Sequence, residues 1–333
     1  MLVLRGSGRI AAQSASTGQI VGTVRDPSGA VLPEALVVVK SPTGLVREVR
    51  TDEAGRYVIP LLPPGIYRLE ISRIGFKTHI LEDVTVRITE TTTADAILEI
   101  GELAETITVE AETPLLQADT PTTGRVITGR ALTELPLATR NFTQLFALTA
   151  GTNVDLPDHS ASGLNTLDIS VNGLNRYNNN FQLNGIDTNG IGINNAFSYP
   201  VPAPDALQEF KVQTSLYDAS YGRSAGGQIA VVTRSGTNEF HGSLYHFLRN
   251  DKLNANDFFF NSTGTPRPKF IRNQFGFTLG GPIARDRTHV FGSYQGSRER
   301  NGAARGALST LALPPLLTDD RTAAGISRAS GVP

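Results

Sequence analysis

The chain has 333 residues, 39% of them apolar, which is enough for two or three domains with ordinary hydrophobic cores. Against 30 Lys and Arg stand 31 Asp and Glu, so there is no basic field of the kind that draws phosphate backbones, and no nucleic acid partner is expected. The absence of Cys excludes disulfides, thiolate metal sites and a Cys nucleophile.

Residues 1–17 read as the remnant of a secretory signal peptide or as a disordered tail. Ala11-Ala12-Gln13 has the small-residue character of a signal's end, yet only Met1 to Leu4 are continuously apolar. A signal's apolar centre needs about 7–15 such residues, so the signal would have to begin upstream of Met1. No run of 18 apolar residues occurs anywhere in the chain. That excludes a spanning helix and leaves a membrane β-barrel open.

Residues 18–100 alternate short strands with turn signals, the pattern of a β-sandwich. "QIVGTVRD" is followed by the turn "DPSGAVLP", then "ALVVVK", "LVREVRT", the turn "DEAG", "RYVIP", the turn "LPPG" and "IYRLEISRIGF". "KTHILEDVTVRI" and "ADAILEI" bring the expected count to seven strands. The stretches "GTVRDPSGAVLPEALVVV" and "TDEAGRYVIPLLPPGIYRLEISRIGF" resemble the carboxypeptidase regulatory-like domain, a small sandwich that precedes other modules. That resemblance implies no peptidase chemistry. A zinc peptidase needs clustered His and carboxylate ligands, and the only His of this region, His79, reads as an ordinary strand residue.

Residues 112–235 read as α+β. In "ITGRALTELPLATRNFTQLFALTAGTNV" the apolar positions Leu132, Leu135, Phe142, Leu145, Phe146 and Leu148 suit two helical turns interrupted by Pro136 and closed by Gly151. Nine Asn follow between Asn172 and Asn195. Asn-Gly pairs such as that in "LNGI" mark ordered hairpins within this polar tract. A short helix, the strand around "EFKVQTS", a glycine-rich turn and the strand "QIAVVT" complete the region. "LQEFKVQTSLYDASYGRSAGGQIAVVTRSGTNEFHG", with "LPLATRNFTQLFALTAG" and "FQLNGIDTN" before it, resembles the plug domain of TonB-dependent outer-membrane receptors. Together with the sandwich it is similar to the large Oar-like receptors. Asn184 stands where many receptors have Asp, and Phe210-Lys211 where a "RIEV"-like sequence is usual.

Residues 236–300 read as first barrel strands. In "FIRNQFGFTLGGPI", Ile271, Phe275, Phe277 and Leu279 share one face with Asn273. Arg272, Gln274, Gly276, Thr278 and Gly280 share the other, and apolar out with polar in is what a lipid-facing barrel strand needs. An edge of a soluble antiparallel sheet gives the same alternation. Residues 301–333 lose the alternation and read as an irregular tail. A 22-stranded barrel needs about 220 residues for its strands alone. Only 98 residues follow Ser235, so the expectation is a truncated or fragmentary portion that forms no pore alone.

Between sandwich and plug, residues 101–111 form a linker that contains "ETITVEA", Glu105 to Ala111. It alternates as a strand and resembles the TonB box, the extended segment that receptors present to the periplasmic energy-transducing protein TonB. The resemblance assigns docking to Glu105, Thr106, Ile107, Thr108 and Val109, through main-chain pairing at a sheet edge. A plain linker, or the first strand of the plug, is the alternative for this stretch. Plug-apex ligand contacts are expected at Asn178, Asn184 and Asp187, for a ligand the sequence does not name.

No catalytic chemistry stands out, and neither a cofactor nor a metal is expected. His241 and His246 are five residues apart and take opposite faces of one strand, so they cannot share a metal. "GIGINN" and "YGRSAGG" lack the remaining residues of nucleotide-binding loops. The sequence therefore predicts a mainly β chain: a seven-stranded sandwich, an α+β plug and the first strands of an incomplete outer-membrane barrel. The function implied is energised uptake at the outer membrane, with TonB and outer-membrane lipid as partners and the sandwich in the periplasm. The alternative is a soluble periplasmic or cell-surface module that binds carbohydrate or protein.

Overall fold

The computed structural model describes residues 16–101, 106–110, 123–137, 139–154, 169–190, 201–217, 224–256, 258–262 and 264–301. The expected N-terminal tail before residue 16, Glu105 of the candidate docking segment and the tail after residue 301 lie outside them.

The N-terminal region is a two-sheet sandwich built from β1 (Gly18–Arg25), β2 (Leu36–Lys40), β3 (Val46–Arg50), β4 (Arg56–Leu62), β5 (Gly65–Ser72), β6 (Thr78–Val86), β7 (Thr91–Thr93) and β8 (Ala96–Ile97). One sheet has the order β4-β1-β7, with β8 also on β1. The other runs β3-β2-β5-β6 and continues into β9 (Thr106–Glu110). Alternate residues of the strands face inward, and Ile20, Val24, Val37, Val39, Tyr57, Ile59, Leu69 and Ile71 form the core between the sheets. Among the described residues eight strands therefore precede β9, one more than expected. The strand missed in the sequence is the short β7, three threonines without apolar alternation, held by parallel pairing to β1.

The central region, the expected plug, contains β10 (Thr123–Thr128), helix α1 (Arg130–Thr133), a 3-10 helix (Phe142–Leu148), β11 (Thr152–Val154), β12 (Ile169–Val171), β13 (Asn180–Leu183), β14 (Ile186–Asp187), β15 (Leu207–Ser215) and β16 (Gln228–Thr233). Its main sheet has the order β10-β15-β16-β13-β14. Asn141 caps the 3-10 helix by accepting from the Thr143 backbone N–H at 3.0 Å. Phe142 and Phe146 of that helix pack on Phe210 with ring centroids 5.2 and 5.1 Å apart, and Phe146 stacks on Phe181 at 6.2 Å. Four aromatic rings from three elements thus fix helix to sheet. Leu132 and Leu145 join this core, whereas Leu135 and Leu148 are exposed.

The last described element is a three-stranded sheet of consecutive strands, β17 (His241–Asn250), β18 (Phe270–Ala284) and β19 (Thr288–Asn301). The connection from β17 to β18 is long and carries helix α2 (Phe258–Ser262), while β18 and β19 meet through the short turn 285–287. Among the described residues no helix is long and apolar enough to cross a membrane, which says nothing of strands.

Candidate functional site: edge strand, sandwich contact and inverted sheet

"ETITVEA" does not remain a free linker. Thr106–Glu110 forms β9, which pairs in parallel with β6 in the register Thr78 with Thr106 through Glu82 with Glu110. It belongs to the sandwich sheet and not to the plug. Its backbone can pair because the alternating, β-branched sequence favours an extended chain, and β6 offers it an edge. β9 is last in the sheet order, so among the described residues its second edge has no strand beside it. His79 stands opposite Ile107 on the β6 side of this seam. It is buried, its Nδ1 has no hydrogen-bond partner among the described residues, and burial lowers its pKa, so the neutral ring is the native form.

β6 leads directly into the turn 87–90, and that turn holds the plug. The Ile88 backbone N–H donates to Glu209 Oε1 of β15 at 2.5 Å. Lys211 Nζ lies 3.3 Å from Glu90 Oε1 and donates to Thr89 O at 3.4 Å. Gln208 Nε2 adds a bond to Pro64 O at 2.7 Å. Ile88 is fully buried beside Ala230 and Val232 of β16. The contact is buried and polar at once, and its groups are shifted accordingly. Burial pushes Glu209 up to about 7 against the pull of the Ile88 N–H, and burial lowers Lys211 against the attraction of Glu90.

Of the expected ligand-contact residues, Asn184 and Asp187 share the β13–β14 hairpin and Asn178 lies apart from them. Asn184 and Gly185, with φ of 51° and 80°, make the two-residue turn between β13 and β14, the conformation for which Asn-Gly is suited. The Asn184 side chain is spent on the fold: its Oδ1 accepts from Thr233 N at 3.0 Å at the end of β16. Asp187 Oδ1 likewise accepts from the backbone and side-chain nitrogens of Asn189, at 2.8 and 2.7 Å. Asn178 lies before the start of β13, beside Gly226, whose N–H donates to its carbonyl at 2.8 Å. The four extended residues of β13 separate it from Asn184, so the two stand on the order of 20 Å apart at opposite ends of the strand. Unforeseen from sequence was the reason for so many Asn. Asn180 bonds Gln228, Asn189 bonds Asn180, and Asn179 links the Ile169 carbonyl to the Gly227 N–H, a buried network that joins β12, β13 and β16.

The three-stranded sheet inverts the polarity of a soluble protein. On β18 the polar residues Arg272, Gln274 and Thr278 are 1%, 4% and 4% exposed, while Phe277, Leu279 and Ile283 are 47%, 56% and 71% exposed. β17 agrees, with Leu244 and Leu248 outward and Ser243 bonded to Thr278 at 2.8 Å on the inner face. Tyr245 donates to Gln295 Oε1, and Arg272 Nε pairs with Glu299 at 2.7 Å, on that same inner face. Outside, Tyr294 packs against Phe275 and Phe277. A soluble sheet edge buries its apolar side, so the inversion decides between the two readings that alternation alone left open. At the short-turn end, Asn238 Nδ2 donates to Asp286 Oδ1 at 2.7 Å and to Pro42 O of the sandwich at 2.8 Å.

Comparison with known proteins gives the same order of modules. The carboxypeptidase regulatory-like domain family matches residues 19–99, the TonB-dependent receptor plug domain family residues 117–228, and the outer membrane beta barrel domain family residues 232–317. The TonB-dependent transporter Oar of Myxococcus xanthus is 29% identical over 302 residues, covering 86% of this chain and 27% of that protein. The chain thus spans about a quarter of that relative's length. Among solved structures, the siderophore receptor PirA of Acinetobacter baumannii is 22% identical with a TM-score of 0.36, over 54% of this chain and 24% of that one. The outer membrane transporter YddB of Escherichia coli is 16% identical with a TM-score of 0.41, over 53% of this chain and 26% of that one.

Proposed function

We infer that this chain, built from the sandwich, plug and first barrel strands of a TonB-dependent outer-membrane receptor, serves energised uptake of a ligand across the outer membrane. The observation that carries this reading is the inverted sheet that follows the plug: its exposed apolar face and buried polar face suit lipid on one side and a polar lumen on the other. Long loops lie outside and short turns inside in such barrels. The turn 285–287 and the sandwich residue it approaches through Asn238 are then both periplasmic.

TonB docks on β9. The inner edge of this strand is already occupied by β6, so a partner strand adds to the outer edge and extends the sandwich sheet. Thr106, Ile107, Thr108 and Val109 supply the main-chain groups. A pull on β9 loads β6 along the strand axis. β6 passes it to the turn 87–90, which is bonded to plug strand β15 at Glu209 and Lys211. The sandwich is in this way a mechanical link from the docking strand to the plug. Pro at position 107 removes a ladder donor and fixes φ, so Ile107→Pro is expected to weaken binding of the periplasmic TonB domain at least tenfold by calorimetry. Unchanged binding would remove docking from this strand.

A further inference from the structure

The long connection between β17 and β18 encloses a cavity of about 460 Å3, lined by Arg249, Asp251, Asn254, Asn256, Arg267 and Phe270 among others. That volume suits a small organic molecule. The charges lining it do not balance. Arg267 is held to the Asn254 carbonyl through its Nη1, and Asp251 is engaged by the Phe270 backbone N–H, which donates to its Oδ1 at 3.1 Å. Arg272, whose guanidinium also lies over this ring at 5.1 Å, is neutralised by Glu299. Arg249 has no such partner. Its guanidinium lies over the Phe270 ring at 5.3 Å, and its Nη1 is buried with no hydrogen bond among the described residues.

A guanidinium nitrogen buried without a hydrogen-bond partner is costly, and Arg249 makes no ion pair among the described residues. Among the described residues the lining holds two Arg and one Asp, one positive charge in excess. A single excess charge matches a monoanion better than a phosphate dianion. The fork of a guanidinium, with the Asn254 side chain in the same lining, matches the planar pair of oxygens of a carboxylate. Aromatic lining at Phe260 and Phe270 suits an apolar body attached to that carboxylate.

We propose that this cavity binds the carboxylate of a small organic anion, with Arg249 as its principal ligand. The connection is of the long, outward kind, so the site opens to the outside of the cell and contacts the ligand before the plug does; this placement rests on the receptor reading above. The test is calorimetric titration of the detergent-solubilised chain with sodium benzoate, at low and at moderate salt. Benzoate is expected to saturate one site, at least tenfold more weakly in Arg249→Met and unchanged in Arg298→Met, an exposed arginine outside the cavity. Inorganic phosphate is expected not to displace it at equal concentration. Should Arg249→Met fail to fold by circular dichroism, Arg249→Lys, which keeps the charge and loses the fork, is expected to weaken benzoate several-fold. No saturable benzoate binding, equal affinity in the folded Arg249 variants, or phosphate displacing benzoate at the lower concentration would each overturn the proposal. A chain that binds benzoate through Arg249 but fractionates as a soluble protein would instead sink the receptor reading and leave the carboxylate site standing.

Discussion

Glu209 concentrates the chemistry of the contact between sandwich and plug in one carboxyl. Burial raises its pKa to about 7 in the docked state, so docking takes up a proton that the free carboxyl would give away. Its contribution is full below the ordinary carboxyl range and is lost as pH rises through about 7. Lys211 works in the other direction: burial lowers its pKa, so its contribution is lost as pH falls through that lowered value. Glu209→Gln keeps the bond from the Ile88 N–H and removes the titration. The urea midpoint of the native protein is therefore expected to fall between about pH 5 and 7 and level off above that, with a steeper slope than in this variant. An equal slope in both would show that the group does not titrate at the contact. None of this was legible in the sequence, because Phe210-Lys211 and Glu90 are 120 residues apart and nothing local announces that they meet.

At the scale of elements, pattern told more than composition. The strands β1 to β6 and β17 to β19 were readable because period-two alternation and glycine or proline turns coincide. β7 was not, since three threonines held by a neighbour carry no alternation of their own. "ETITVEA" showed a strand in its sequence but not its partner, because pairing is a tertiary fact: the free edge of β6 decided it. Within the Asn-rich tract the Asn184-Gly185 turn is ordered as expected, yet the side chains of Asn179, Asn180, Asn184 and Asn189 are spent on one another and on backbone, while residues 191–195 lie outside the described ones. The plug's helix is held by rings and not by propensity, for a 3-10 turn of seven residues has little stability of its own. Phe146→Ala is accordingly expected to cost about 3–5 kcal/mol in the plug's unfolding free energy by denaturant titration. A loss below about 1 kcal/mol would mean that the aromatic cluster does not anchor the helix. On β18, Leu279→Arg places a charge on the exposed apolar face. In a bilayer such a change costs about 2–4 kcal/mol near the midplane, whereas on a solvated sheet it costs little. Reduced stability in lipid with unchanged stability of the sandwich is the expected pattern.

For the whole molecule, the modules form a chain of attachments. β9 is bonded to β6, β6 continues into the turn 87–90, and that turn is bonded to β15 of the plug. Beyond the plug, three strands turn an apolar face outward. The order of modules was legible in sequence because each carries its own local motifs, whereas the attachments between them became visible only in three dimensions. The central claim is that this exposed apolar face meets lipid. Its most direct test is fractionation of the protein expressed from its own gene, with outer and inner membranes separated by density. The account predicts a protein that sediments with the outer membrane, resists alkaline extraction and is released by detergent. Recovery in the soluble periplasmic or cytosolic fraction would contradict it.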